Sequence, residues 1–321
     1  SDADSDADSD ADSDADSDAD SDSNADPDSA ADSAGDTGPA ADPAACDHEP
    51  TAITWTGSID VDTTFCTTDT HALSGEVSVG GGATLTIEAG VTTRGDATAQ
   101  LVVEAGSRIV ADGSAGVIVL SSVDGDPAGA GWLGLRVEGN APTADNPGGD
   151  PADDSGVLRY LRVEAARDPT GANSVDALRL EGVGSATTVE YVLISDPDDG
   201  VVIDGGTVNI AHVVVSAPLD DGVSWDRGFV GSLDHVYVAD AGDHGFLGSN
   251  RDGEGDDIAA EPRSNPTLSN VTANGAGNNG IRLEYGSLAT VVNSVVDGPV
   301  TTALYIEEAP AGASAGLTSF A

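Results

Sequence analysis

The chain has 321 residues, of which 57 are acidic and 11 basic, so its formal net charge is −46 at pH 7. All 11 basic residues are Arg. Nucleic acids and anionic lipids need basic patches on their partners, so this composition argues against both as ligands. No stretch of the sequence reaches the roughly 18 apolar residues of a membrane-spanning helix.

The first element is an acidic low-complexity segment over residues 1–50. Residues 1–22 are almost pure Ser-Asp-Ala-Asp repeat. Such a segment has little apolar surface to bury and its carboxylates repel, which predicts a disordered, extended tether. The tether would hold a folded domain, residues 51–321, off a surface; a solubilising tail is the alternative. Because Ser1 is not an initiator Met, we expect that an export signal has been removed, with a lipid anchor upstream as an open alternative.

Cys46 and Cys66 are the only cysteines, and they flank the first segment able to fold. An even count in an exported chain favours a disulfide. The bond would fix the end of the tether to the folded domain and contribute roughly 3 kcal/mol. Two free thiols are the alternative. Zinc is disfavoured because no CxxC pair lies nearby.

Between residues 71 and 122 the sequence consists of short alternating segments, most of them closed by Gly. The motif LTIEAG at 85–90 returns as LVVEAG at 101–106, an offset of 16 residues. Period-2 alternation closed by Gly is typical of strands and turns. We interpret the offset as two short coils of a solenoid.

The second half repeats one pattern of an apolar residue, a polar third position, a short strand, a turn and a second strand. The repeats start 21, 23, 35 and 23 residues apart, at Val189, Ile210, Leu233, Leu268 and Val291. Their polar third residues are Tyr191, His212, His235, Asn270 and Asn293. Their second strands open at Gly200, Gly222, Gly245, Gly280 and Ala303.

A period of about 22 residues without helical segments predicts an all-β fold, a single-stranded right-handed parallel β-helix of roughly ten coils. The 35-residue step predicts one coil that carries about twelve inserted residues. The polar third residues predict a side-chain ladder that bonds the turn backbones.

Several motifs follow one another between residues 53 and 166: LSGEVSV, ATLTIEAG, LVVEAGSRIVADGS, GWLGLRVEGNAP and LRYLRVE. In this order they resemble a bacterial family of exported right-handed parallel β-helix proteins of cell envelopes and surfaces, often lipoproteins. The resemblance implies a structural or adhesive role. We therefore expect a non-enzymatic, extracellular or envelope-bound monomer that binds a glycan or a surface protein. Trp132 is expected to pack over an end coil or under a loop, with sugar stacking as the alternative.

When the repeats are aligned on their glycines, acidic residues fall in register before them. Asp199-Gly200, Asp220-Asp221, Asp243-His244-Gly245 and Gly280-Ile281-Arg282 are similar in order to the active site of polygalacturonases, which are inverting glycosidases. The resemblance implies an alternative function, a glycoside hydrolase that needs no cofactor. Two departures weaken it: Glu284 stands where that family has a substrate-binding Lys, and Asp243 replaces a Gly. The catalytic residues of this alternative are Asp199, Asp220, Asp221, His244 and Arg282.

Turn geometry is the competing explanation of the acidic residues, and we favour it because Asp-Gly and Asn-Gly are common turn pairs. It predicts splayed, solvated carboxylates. On that reading, Asp221→Asn leaves stability unchanged or slightly raised, because it removes repulsion.

The inserted segment contains oxygen ligands at the spacing of an EF-hand calcium loop. Asn rather than Asp stands at the first position, and no helical pattern flanks the loop. We favour a solvated acidic loop and keep calcium as the alternative. The candidate ligands are Asn250, Asp252, Glu254, Asp256 and Glu261.

Overall fold

The computed structural model describes residues 46–125, 131–168, 170, 174–251, 257–298, 301–307 and 314–320. The tether predicted over residues 1–50 lies almost wholly outside these ranges. Within them, the secondary structure consists of parallel strands and one short 3-10 turn, Gly113–Ala115. No helix among the described residues is long and apolar enough to cross a bilayer.

The strands are short, as expected for the faces of a solenoid. In chain order they are β1 (Ala52–Ile59), β2 (Thr63–Phe65), β3 (Thr70–Val79), β4 (Thr84–Ile87), β5 (Thr92–Gly95), β6 (Gln100–Val103), β7 (Arg108–Asp112), β8 (Ile118–Ser122), β9 (Leu135–Glu138), β10 (Gly156–Glu164), β11 (Asp176–Glu181), β12 (Thr188–Ser195), β13 (Asp199–Asp204), β14 (Asn209–Ser216), β15 (Val223–Asp226), β16 (Ser232–Ala239), β17 (Phe246–Gly248), β18 (Thr267–Ser269), β19 (Thr272–Asn274), β20 (Asn279–Leu283), β21 (Leu288–Val292), β22 (Val295–Asp297), β23 (Thr302–Ile306) and β24 (Gly316–Phe320).

Strand pairing sorts these segments into three parallel faces. Face A runs from the first half of β1 through β3, β5 and β8, then the second halves of β10, β12, β14 and β16, to β19 and β22. Face B runs from the second halves of β1 and β3 through β6, β9, β11, β13, β15, β17 and β20 to β23. Face C runs from β2 through β4, β7, the first halves of β10, β12, β14 and β16, β18 and β21 to β24.

Each face therefore holds ten strand segments among the described residues, and the chain visits faces A, B and C in turn. This is the parallel β-helix of about ten coils that the sequence predicts. The predicted register is also confirmed. Val192 pairs with Val213 and Val213 with Val236, and all three side chains are at most 2% exposed. Corresponding inward side chains stack into one continuous apolar core along the solenoid.

The interpretation of the 16-residue offset is wrong. Thr84 pairs with Arg108 and Glu76 pairs with Gln100, so the coil in this region is 24 residues long. LTIEAG lies on face C and LVVEAG on the next face B strand along the chain, with β5 on face A between them. The two segments resemble each other because Gly90 and Gly106 both close a strand in a left-handed turn, with φ of 90° and 84°.

A column of glycines opens the strands of face B for a steric reason. A Cβ on Gly222 would lie 2.3 Å from Cγ1 of Val238 in the core and 2.6 Å from the carbonyl oxygen of Gly245 on the next coil. Gly200, Gly245 and Gly280 are equally crowded. None of these four has a positive φ. They are required by close approach of the coils rather than by the turn conformation that the sequence suggested.

The predicted polar ladder exists, at the corner where face C passes to face A of the next coil. Its residues have φ between 47° and 54°, and Tyr160 extends it by one position. The rings of Tyr160, Tyr191 and His212 stack with centroids 4.7 and 4.6 Å apart, and the ring of His235 follows at 5.0 Å, tilted by 32°. On the next coil, Nδ2 of Asn270 donates to Asp234. The ladder thus bonds side chain to side chain, whereas bonding to turn backbones was predicted.

Two long excursions leave the solenoid at the same corner, between faces B and C. The first covers residues 139–155. The second connects β17 to β18, contains the predicted insertion, and is described at residues 249–251 and 257–266. The first crosses the neighbouring coils: the amide of Ala144 donates to the carbonyl of Arg227 at 2.8 Å. Asp145 pairs with Arg227 at 3.1 Å and, on the second excursion, with Arg251 at 2.6 Å. The first loop therefore overhangs the edge of face B and meets the start of the second at Arg251.

The first coil is closed by aromatic stacking and a disulfide. The predicted Cys46–Cys66 bond is present, with Cα atoms 5.5 Å apart. The ring of Phe65 stacks between Trp55 and His71 at 4.7 and 4.5 Å. Trp132 lies further along, 1% exposed, with its indole N–H on the carbonyl oxygen of Glu164 at 2.9 Å. Such burial leaves Trp132 no surface for stacking on a sugar.

Candidate functional site

The acidic residues before the glycines form a ladder at the corner between faces A and B. Oδ1 of Asp199 accepts a hydrogen bond from the amide of Asp221 at 3.0 Å, and Oδ1 of Asp221 accepts one from the amide of His244 at 3.0 Å. Each carboxylate thus binds the backbone of the next coil. The sequence correctly aligned these residues. The side chains of Asp199 and Asp221 are not splayed into solvent as the turn interpretation expected, whereas that of Asp220 is exposed.

His244 is the most enclosed member of this cluster. It is 5% exposed, and Nδ1 lies 2.9 Å from Oδ1 of Asp221 and 3.3 Å from Oδ2 of Asp243. Desolvation acts to lower the pKa of His244, but the hydrogen bond that its ring donates to Asp221 and the charges of Asp221 and Asp243 outweigh it and raise the pKa. Its other nitrogen, Nε2, has no hydrogen-bond partner among the described residues.

The neighbouring carboxylates have different environments. Burial raises the pKa of Asp199 to about 7, although Ser174 and the amide of Asp221 donate to it. Asp220 is exposed; partial desolvation and the charges of Asp221 and Asp243 raise its pKa. One coil earlier, Asp198 is buried and accepts a hydrogen bond from the amide of Asp168 at 2.9 Å. The cluster therefore contains one carboxyl group, that of Asp199, which titrates near neutral pH.

Arg282, one of the catalytic residues of the hydrolase alternative, lies on β20 of face B. Its guanidinium pairs with Glu284, and its Cζ lies 5.2 Å from the ring centroid of Tyr305. Glu284 is 8% exposed, and burial raises its pKa despite the hydrogen bond from Arg282. Glu284, the acid that stands where polygalacturonases have a Lys, thus forms an ion pair with Arg282 and neutralises the charge of this guanidinium.

A second site, which the sequence analysis missed, lies on face B beneath the first excursion. At its centre Arg179 contacts three carboxylates: Asp176 at 2.7 Å, Glu181 at 2.6 Å, and Asp204. Asp204 is 8% exposed, and burial raises its pKa although Arg179 and Arg227 oppose this. Fixed ion pairs of this kind present both donors and acceptors at defined positions.

Arg179, Glu181 and Asp204 line a cavity of about 390 Å³, here called the face B groove. The loop over residues 139–155 closes one side of it. The groove is lined by Ala105, Glu138, Gly139, Ala141, Thr143, Asp145, Asn146, Arg179, Glu181, Gly182, Asp204 and Arg227. A smaller concavity shares Arg179, Asp204 and Arg227 and continues toward Ser224 and Leu247. The polar lining and the volume of the face B groove suit a hydrated, hydroxyl-rich ligand.

A sequence signal for the groove did exist. The segments LRVE at 135–138 and LRLE at 178–181 place an Arg and an acid on alternate, outward positions of two strands that pair on face B. Asp204 and Asp226 continue the acidic position on the next two strands. The sequence could not reveal that the loop over residues 139–155 covers the groove. No repeat period governs the path of this loop, which brings Asp145 to Arg227.

The calcium prediction remains a prediction. Asp252, Glu254 and Asp256 lie outside the described residues. Asn250 is fully buried, and its Oδ1 accepts a hydrogen bond from the amide of Ser264 at 2.7 Å. Glu261 accepts one from the amide of Arg263 at 3.0 Å. The side chains of Asn250 and Glu261, at the two ends of the predicted calcium loop, therefore already accept hydrogen bonds from backbone amides of the second excursion.

Comparison with known proteins agrees with the coil architecture. Residues 57–319 match the family described as the pectate-lyase like beta helix domain, and the chain belongs to this family. The chain matches none of the curated proteins. Among solved structures it is similar to the catalytic domain of a GH87 alpha-1,3-glucanase in complex with tetrasaccharides, at 8% identity and a TM-score of 0.36. That similarity covers 85% of this chain and 64% of the glucanase chain.

Proposed function

We propose that this protein is a non-enzymatic, surface-attached β-helix scaffold that binds a neutral glycan in the face B groove. The observation that carries the proposal is the contrast between the two sites. The carboxylates of Asp199 and Asp221 accept backbone hydrogen bonds between coils. The groove, by contrast, is a concavity of about 390 Å³ lined by paired charges and loop polar groups.

Charge favours a neutral ligand over an acidic one. The whole chain carries a net charge of −46, so a polyuronate would be repelled during approach. Within the groove, Arg179 and Arg227 are already paired with carboxylates. Sugar hydroxyls can donate to such carboxylates and accept from such guanidinium groups without breaking the pairs. A neutral polysaccharide therefore fits better than an anion.

The acidic segment over residues 1–50 completes the proposal. Its repeated carboxylates would keep it extended, so it would separate the solenoid from the surface to which the chain is attached. We propose an extracellular or envelope location on this basis. A lipid anchor upstream of the segment is the attachment that we favour.

The binding proposal can be tested by calorimetry with soluble neutral and acidic polysaccharides. Ala105 is exposed at the rim of the groove, so Ala105→Trp should fill the cavity without disturbing the core. We expect a neutral polysaccharide to bind, no polyuronate to bind, and Ala105→Trp to weaken binding about tenfold or more. Ala115→Trp is the matched control, because Ala115 is also exposed and lies outside the groove. Binding that survives Ala105→Trp unchanged would contradict the proposal.

A glycoside hydrolase is the second candidate, because burial raises the pKa of Asp199 to about 7, within the range expected of a general acid. The same polysaccharides should be screened for release of reducing ends. Scaffold function predicts no turnover by the wild type. Turnover that disappears in Asp199→Asn and Asp221→Asn would establish the hydrolase instead.

A further inference from the structure

Asp221, Asp243 and His244 bring three ligand atoms together where successive coils meet. One carboxylate oxygen of each Asp and one ring nitrogen of His244 all lie within 4.8 Å of one another. Asp221 precedes a face B strand on one coil, and the other two precede the corresponding strand on the next. The register of the solenoid therefore assembles this group, and Asp221 is held in place by the amide of His244 at 3.0 Å.

We propose that these three residues bind a divalent first-row transition-metal cation, for which Zn²⁺ is the best fit. A tetrahedral zinc ion with bonds of about 2.0 Å holds its ligand atoms about 3.3 Å apart. Nδ1 of His244 lies 2.9 Å from Oδ1 of Asp221 and 3.3 Å from Oδ2 of Asp243. Small side-chain adjustments would complete this geometry, since the Asp243 side chain is 41% exposed and has room to turn.

The unpartnered side of the imidazole supports a metal at Nδ1. A metal at Nδ1 requires the ring proton on Nε2, and metal-bound histidines normally donate that proton to a second acceptor. Nε2 of His244 is buried without a hydrogen-bond partner among the described residues, and so is Oδ1 of Asn279. Asn279 is 3% exposed and occupies the same column one coil further on, where its carbonyl accepts from the amide of Gly245 at 3.0 Å. These two atoms are not bonded to each other in the metal-free protein, so zinc binding at Nδ1 would have to bring Nε2 of His244 and Oδ1 of Asn279 into hydrogen-bond distance.

The ligand set selects against calcium and magnesium. Ca²⁺ takes six to eight oxygen ligands and Mg²⁺ requires octahedral oxygen coordination, whereas an imidazole nitrogen suits zinc and its neighbours. Two carboxylates and one neutral imidazole would balance the charge of a divalent ion. The fourth position would face solvent on the side of Asp243, leaving room for a water molecule.

The experiment uses the full chain, stripped of metal with a chelator and titrated with ZnCl₂ in a calorimeter. We expect one tight site in addition to loose binding by the acidic segment over residues 1–50. His244→Gln and Asp243→Asn should each weaken the tight site at least tenfold, and Asn279→Ala should weaken it about tenfold through the second acceptor. His235→Gln is the matched control, because His235 also pairs with a carboxylate, that of Asp234 at 2.8 Å, but on an exposed corner.

Two further readouts make the result decisive. Co²⁺ in place of zinc should give a visible absorption spectrum that Asp243→Asn abolishes, and a large excess of CaCl₂ should not displace it. If His244→Gln proves unstable, Asp243→Asn decides alone, because that side chain is partly exposed and its loss should leave the metal-free melting temperature unchanged. A tight site that survives Asp243→Asn, that disappears in His235→Gln, or that calcium occupies equally well would overturn the proposal.

Discussion

His71 is held in one neutral tautomer by its neighbours. Its Nδ1 accepts the indole N–H of Trp55 at 3.1 Å, so Nε2 carries the proton and lies 3.0 Å from the carbonyl oxygen of Cys66. The residue is 3% exposed. Burial lowers the pKa of His71 from 6.5, although the carbonyl of Cys66 and the charge of Asp69 act in the opposite direction. A second proton would have to displace the indole.

This tautomer predicts a loss of stability in acid. Below about pH 6.5 the unfolded chain takes up a proton at this position, but the folded protein does so only at lower pH, so stability falls with falling pH. We expect His71→Gln, which cannot titrate, to show a smaller drop in melting temperature between about pH 7.5 and about pH 5.5. Equal drops in the two proteins would show that His71 does not contribute to the pH dependence.

Asp221 and Asp220 are adjacent acids in opposite situations. Asp221 is 9% exposed and accepts hydrogen bonds from the amide and the ring of His244. Asp220 is exposed, and the repulsion expected from the sequence acts on it. The argument that removing a charge is harmless therefore applies to Asp220 and fails for Asp221.

Asp221→Asn should destabilise the protein by about 1–2 kcal/mol, because it weakens charge-assisted hydrogen bonds to His244. Asp220→Asn should change the free energy of unfolding by about 0.5 kcal/mol or less. Urea denaturation of the two variants, in buffer containing a chelator, separates these expectations. A stabilised Asp221→Asn would restore the simple repulsion argument.

At the scale of the strand, the glycine column sets how closely successive coils approach. Gly222→Ala would put Cβ 2.3 Å from Val238 and 2.6 Å from the carbonyl oxygen of Gly245, both in the rigid interior. We expect a loss of about 3 kcal/mol or more, the cost of overpacking a close-packed core. The matched control is Gly148→Ala on the excursion, where nothing lies within 4 Å of the new Cβ. Similar unfolding midpoints for both variants would refute the steric account.

The elements show why part of this molecule follows from its sequence and part does not. Strands β12, β14 and β16 were predictable because each has a polar residue at the same corner position, and parallel register then fixes which side chains meet. The contact of Asp221 with His244 followed from that register. The 16-residue offset led to a wrong coil length, because β4 on face C and β6 on face B are followed by the same kind of turn, with a left-handed Gly. The groove was missed because residues 139–155 follow no period, so their contact with Arg227 has no local signal.

At the scale of the whole molecule, a solenoid must protect its ends, since an open coil exposes unpaired strand edges. The first coil is protected by the stack of Trp55, Phe65 and His71 and by the disulfide between Cys46 and Cys66. The amide of Thr51 adds a hydrogen bond to Asp69 at 2.8 Å. The disulfide therefore ties the end of the predicted tether to the first coil at Cys46, and residue 45 is the last position that can be removed without breaking this bond.

The last prediction follows from that boundary. Removing residues 1–45 should leave the melting temperature nearly unchanged, because it spares the disulfide and the first coil. Replacing both Cys46 and Cys66 by Ser should cost about 3 kcal/mol, since the bond closes a loop across 20 residues of sequence. Reductant should lower the melting temperature of the truncated protein and leave that of the Ser variant unchanged. If truncation at residue 45 destabilises the protein as much as loss of the disulfide does, the acidic segment packs on the solenoid and is not a tether.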